Sequence, residues 1–186
     1  FIGELGIDGK FPVNILSTGV VRMAMERNGD LNPMISERPV MRNWDMVQHG
    51  FPKAMLINGV DCSVKTAFYY ISKLFRDNKF DKYISSSVRD FEGIQKVFVT
   101  LGYDSVQKEY VLKLINLLSD KVVLNTEVKG FSKAVNADKC VMQLHSGVNN
   151  SPDGPNRVQP EYSNEKLDLQ APVVLCPYSL TVYRFK

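Results

Sequence analysis

The stretch VFVTLGYDSVQKEYVLKLINL, Val97 to Leu117, decides the fold. Two arms of alternating apolar and polar residues flank a turn signal at Tyr103 to Ser105, so it reads as a β-hairpin. Val111, Leu112, Leu114 and Leu117 supply the apolar positions of the second arm. Outward from it the same period of two recurs in KYISSSV, IQKVFVTLGYD, KEYVLKLINLL, KVVLNTEVKG, KCVMQLHSG, VVLCP and SLTVYRF. Turn signals at Asp90 to Gly93, Ser119-Asp120 and Lys129-Gly130 separate these runs. Seven short strands with such spacing predict an antiparallel β-sandwich. One polar stretch, SGVNNSPDGPNRVQPEYSNEKLD, is too long for a turn, and it either wraps the sandwich or carries function.

Upstream of Lys82 the period changes. Phe1 to Ile7 reads as a short strand with a glycine-rich exit. NILSTGVVRMAMERNGD carries Ile15, Val20, Met23 and Met25 or Arg27 at helical spacing, and Asn28-Gly29 gives the stop. ISERPVMRN holds a candidate strand around Pro39 to Arg42, and PKAMLING a second extended run. SVKTAFYYISKLFRDNK predicts a helix with Ser63 as N-cap and a core-facing stripe of Ala67, Tyr70, Ile71, Leu74 and Phe75. Strand, helix, strand, helix in this order fits the closing units of a βα architecture. The chain therefore divides into residues 1–80 and 81–186, a mixed α+β fold.

Composition narrows the function. Of 186 residues, 44% are hydrophobic and 23% charged, the balance of a globular chain. The 23 basic and 20 acidic side chains are scattered, without the basic stripe a nucleic-acid partner needs. No apolar run approaches the roughly 20 residues of a membrane span. Cys62, Cys140 and Cys176 lack metal-type spacing and read as buried free thiols, with one disulfide as the alternative. His49 and His145 stand far apart, so neither metal nor cofactor is expected. Asn149-Asn150-Ser151 forms a glycosylation triplet of the kind that also arises by chance.

Several stretches together resemble the C-terminal part of the retaining α-L-arabinofuranosidases of glycoside hydrolase family 51, in the plant and Bacteroides-like branch. AMERNGDLNPMISERPVMRN keeps that family's pattern at Glu26, Arg27, Asn28, Asp30, Ser36, Pro39 and Asn43. PKAMLIN, YYISKLF, VLKLINLLSDKVVLNTEVKG, NNSPDGPNRVQP and LCPYSLTVYRF are similar to the family's segments in the same order. The resemblance implies that residues 1–80 are the last βα units of a (β/α)8 barrel. Residues 81–186 would then be an appended β-sandwich of jelly-roll type. The chain would begin inside a longer polypeptide, with barrel strands one to six, and the acid/base Glu of the fourth, upstream.

Glu4 lies at the end of the apolar run FIGEL. A carboxylate there is exposed, paired or used. By resemblance it is the nucleophile at the C-terminal end of the seventh barrel strand, where βα-barrel chemistry sits. Three departures stand out: Leu5-Gly6 replaces Tyr-Ala, TGVVRMA replaces an Ala-Glu-Ala run, and Val64, Lys65 and Thr66 replace Gly-Thr-Pro. Glu37 and Asp45 match no catalytic position and read as solvated or paired surface groups. Asn43 and Trp44 fall near the predicted end of the eighth strand, where they would line a sugar site; Trp44 serves equally well as core. The implied partners are an arabinose-containing polysaccharide and the remainder of the barrel, and the implied setting is secreted or periplasmic. The implied activity is hydrolysis of terminal α-L-arabinofuranosyl residues, with no turnover by this chain alone. The alternative is a non-catalytic accessory β-sandwich that scaffolds or binds carbohydrate.

Overall fold

Parallel strands need a long crossover and antiparallel strands only a turn, and the chain uses each in a different region. The computed structural model describes residues 2–5, 11–29, 35–37, 40–44, 54–89, 93–131 and 133–186. They form two units, Phe1–Asp77 with Leu144–Gln159, and Asn78–Gln143 with Pro160–Lys186.

The first unit opens with β1 (Ile2–Leu5), α1 (Pro12–Arg27) and β2 (Ile35–Glu37). β1 and β2 pair in parallel, with Ile2 opposite Ile35 and Leu5 opposite Glu37, so the three elements make one βαβ unit. Pro12 occupies the first helical position, where its missing N–H has no intrahelical partner to lose. The buried stripe of α1 runs through Ile15, Gly19 and Met23, four residues apart, with Leu16 beside it. Val20, a predicted stripe member, turns partly outward. Asn28 ends the helix as predicted. Its backbone N–H donates to the carbonyls of Ala24 and Met25, and its side chain donates to Ala24 O at 2.7 Å.

A separate three-stranded sheet follows, built from β3 (Met41–Asn43), β4 (Leu56–Asn58) and β5 (Ser63–Lys65). β4 is central, parallel to β3 and antiparallel to β5. The strand expected around Pro39 to Arg42 is β3, shifted toward the C-terminus, and Pro39 itself lies outside the described residues. Helix α2 (Ala67–Asp77) buries Ala67, Phe68, Ile71, Leu74 and Phe75 and packs against α1. Phe68 takes the place expected for Tyr70, which is half-buried. Ser63 does not cap this helix. Its backbone pairs within β5 opposite Asn58, and its hydroxyl donates to Asn58 Oδ1 at 2.8 Å. Thr66 precedes the helix instead, and its buried hydroxyl donates to the Ala54 carbonyl at 2.7 Å.

The segment Leu144–Gln159 folds with this unit. Leu144 and Val158 are buried, and Ser151 and Gly154 exchange both backbone hydrogen bonds across a tight turn. Asn150 is 2% exposed. Its amide donates to Lys65 O at 2.7 Å and Val158 O at 2.8 Å, and its carbonyl accepts the Val158 N–H at 2.7 Å. The polar stretch, expected either to wrap the sandwich or to carry function, is in this half part of the first unit.

The second unit contains β6 (Lys82–Ile84), β7 (Val97–Asp104), β8 (Glu109–Asn116), β9 (Val122–Leu124), β10 (Val135–Gln143), β11 (Glu161–Leu167), β12 (Val173–Leu175) and β13 (Ser179–Phe185). Six of them form an antiparallel sheet in the order β11-β10-β13-β8-β7-β6, and β12 pairs with β9. The predicted hairpin is β7–β8, in register from Val97 opposite Asn116 to Asp104 opposite Glu109. Its turn, residues 105–108, starts two residues later than the sequence signal. Asp104 Oδ1 accepts the N–H groups of Val106 and Gln107, and Lys108 adopts a left-handed φ of 56°.

Between the six-stranded sheet and the β9–β12 pair lies a core of Leu101, Leu112, Leu114, Leu169, Leu175, Tyr183 and Phe185 with their neighbours, against which Val122 and Leu124 pack. Each fully buried aliphatic chain contributes roughly 1.5–3 kcal/mol. Tyr110 stacks on Phe185 at 5.6 Å, and Phe131 meets both rings edge-on. Gly102, mid-strand in β7, has a structural cause: a Cβ there would stand 2.2 Å from the Phe80 ring. The Lys113 ammonium lies 4.7 Å from the centre of that same ring.

Candidate functional site

The strand ends of the βαβ unit come first. Glu4 is the penultimate residue of β1, and Glu37 is the last residue of β2, opposite Leu5. Because the strands are parallel, both positions lie at the C-terminal edge, and neighbouring strands run about 4.8 Å apart. The backbone therefore brings Glu37 within one residue step of the position across from Glu4. Sequence reading set Glu37 aside as a surface group, and no periodicity signal could have paired it with Glu4 across a helix. Asp45 lies outside the described residues.

Asn43 ends β3, opposite Asn58, and is exposed. Trp44 follows it, half-buried, with its ring packed on Ile57 and Val64. Both belong to the β3-β4-β5 sheet, whereas Glu4 belongs to the β1–β2 pair. Trp44 thus performs the packing role, and the same ring retains some exposure.

Further polar groups lie on β7, β8, β10, β11 and β13. Arg184 donates from Nε to Glu109 Oε2 at 2.8 Å and from a terminal nitrogen to Asp104 Oδ2 at 2.9 Å. The guanidinium, with the Gln107 and Val106 N–H groups, holds the Asp104 carboxyl below the ordinary carboxylate range. On the opposite, core-facing side, Lys139 bridges to Glu165 at 3.0 Å, and the Tyr183 hydroxyl donates to the same carboxylate at 3.1 Å. Burial, then the Glu165 charge, pushes the Tyr183 phenol well above its usual range.

Among the described residues no group of three or more His, Cys, Asp or Glu side chains could hold a metal ion. Cys62, Cys140 and Cys176 are all free, and only Cys140 is fully buried. No helix among the described residues is long and apolar enough to cross a membrane.

No family model matches the sequence, and no curated protein matches it. Solved structures do match in fold, among them several glycoside hydrolases. The arabinose-bound MgGH51 α-L-arabinofuranosidase superposes with a TM-score of 0.81 at 16% identity, over 100% of this chain and 28% of its own. The α-L-arabinofuranosidase of Thermotoga maritima, an arabinose complex, gives 0.80 at 12% identity, over 96% of this chain and 39% of its own. A GH30 endoxylanase from Clostridium papyrosolvens C71 gives 0.60 at 12% identity, over 100% and 41%. The chain thus spans well under half of each of these proteins, and at such identities the likeness is one of fold.

Proposed function

We propose that this chain is the C-terminal part of a retaining α-L-arabinofuranosidase that removes terminal non-reducing arabinofuranosyl residues from plant polysaccharides. In this reading residues 1–80 are the last βα units of the catalytic barrel, and residues 81–186, apart from the segment Leu144–Gln159 that folds with the first unit, are a jelly-roll domain. The observation that carries it is the β1-α1-β2 unit, which sets Glu4 at the C-terminal end of a parallel strand in a chain similar throughout to α-L-arabinofuranosidase structures.

Glu4 acts as its ionised carboxylate. One oxygen attacks the anomeric carbon as the glycosidic C–O bond breaks, and a carboxylic acid from the rest of the barrel, about 5 Å away, protonates the leaving oxygen. That residue then deprotonates a water, which cleaves the glycosyl-ester and frees Glu4. Asn43 and the exposed part of Trp44 line the sugar. The reaction uses no cofactor or metal. The isolated chain has no turnover, because the acid lies in the remainder of the barrel, and the enzyme works in the secreted or periplasmic setting of polysaccharide breakdown.

The test is azide rescue in the longer protein that contains this chain. Glu4→Gly should lower aryl α-L-arabinofuranoside hydrolysis by about 10^4-fold or more. Azide should restore release of the aryl group, forming a C–N bond at the anomeric carbon with inverted, β configuration. Undiminished turnover in Glu4→Gly, or rescue of Glu37→Gly instead, would overturn the assignment.

A further inference from the structure

The exposed corner of the six-stranded sheet, on the face away from the β9–β12 pair, has the makings of a ligand site that the Glu4 chemistry does not use. Strand alternation puts Tyr162, Asn164 and Lys166 of β11 on one face, beside Asn136 and Asp138 of β10. Register then aligns Asn164, Asp138, Arg184 and Val111 in one row across four strands. Asn164, Asp138 and Arg184 of that row line a trough of about 680 Å³, within the roughly 300–1,000 Å³ of ligand sites.

Three features fix the chemistry of an occupant. Charges on this face balance, with Asp104, Glu109 and Asp138 against Lys166, Arg184 and Lys186, so neither an anion nor a cation is favoured. Asn164 donates to Asp138 Oδ1, and Arg184 is locked by Glu109 and Asp104, so the polar groups are held in place by their protein partners. Asn164 keeps its carbonyl and second N–H, and Asp138 its other oxygen, as a mixed donor and acceptor set facing solvent. Tyr162 is 68% exposed at the rim of the same face, an aromatic surface of the kind a sugar ring's C–H edge covers.

We propose that this corner, with Tyr162, Asn164, Asp138 and Asn136 as contacts, binds a neutral oligosaccharide. It would hold a polysaccharide chain at a place other than the strand end of Glu4. The inference stands on the sheet alone. A non-catalytic Glu4 would leave it intact, and a failed titration would leave the nucleophile assignment standing.

The experiment titrates the 186-residue chain with α-1,5-arabinopentaose and with xylopentaose, read by two-dimensional NMR, with an oligogalacturonate as the anionic control. At least one neutral pentasaccharide should bind saturably in the millimolar range, with shifts confined to β10, β11 and the end of β13. Tyr162→Ala with Asn164→Ala, both exposed changes, should weaken that binding about tenfold while the thermal midpoint stays put. No shift with either neutral sugar, shifts centred elsewhere, or stronger binding of the oligogalacturonate would overturn the proposal.

Discussion

Replacing Asn150 by alanine should unfold the first unit at markedly lower urea. Three hydrogen bonds vanish together: two from the amide to the carbonyls of Lys65 and Val158, and one from the Val158 N–H. A hydrogen bond contributes a net 0.5–1.5 kcal/mol, so the three sum to about 3 kcal/mol. Asn150 and Val158 are each 2% exposed, so water reaches the orphaned groups poorly and the cost does not fall much below that sum. Asn150→Asp separates the donors from the acceptor. It keeps an acceptor for the Val158 N–H but faces a carboxylate with two carbonyl oxygens, so it should cost more than alanine near neutral pH. Its stability should rise as pH falls and that buried carboxyl takes up a proton. Trp44, the only tryptophan, is packed on Ile57 and Val64 in the same unit, and its fluorescence reports the transition directly. A urea midpoint unchanged in Asn150→Ala, or a loss under about 1 kcal/mol, would refute the idea that this side chain ties residues 144–159 to β5.

Gly102→Ala should destabilise the second unit by about 1–3 kcal/mol through overpacking against Phe80; combining it with Phe80→Leu should return part of the loss, as a chemical-denaturation cycle would read. The Asp104 carboxyl, held low first by the Arg184 hydrogen bond, stabilises the fold fully above its unfolded pKa near 3.9. That contribution is lost as pH falls below 3.9 and through the lower folded value. Arg184→Met should therefore flatten the loss of stability between about pH 4 and pH 2, as followed by far-UV circular dichroism.

The β7–β8 hairpin was legible because both its strands are long and its turn is local, closed by Asp104 within its own loop. Helix α2 was legible from its apolar stripe, and α1 from its Asn28-Gly29 stop. Strand β11 was hidden. It forms one margin of the sheet, and Glu161, Tyr162, Ser163 and Asn164 are all exposed, so no alternation marks it. Its polar sequence merged with residues 144–159, whose fixing partner, the Lys65 carbonyl, lies 85 residues from Asn150. Such a contact leaves no trace in local pattern. The Ser63 cap failed for a related reason, since strand pairing with Asn58 claimed that residue first. At the strand end, Glu4 could be placed from sequence, but its neighbour Glu37 depended on a parallel register that only the crossover establishes.

Because the chain leaves the second unit after Gln143 and rejoins it at Pro160, neither unit is contiguous in the gene. No single cut between codons separates them. During synthesis the first unit is complete only once Gln159 has left the ribosome, by which time five of the eight strands of the second unit have already emerged. Recombination events that keep both units whole are limited to those that move them as a pair.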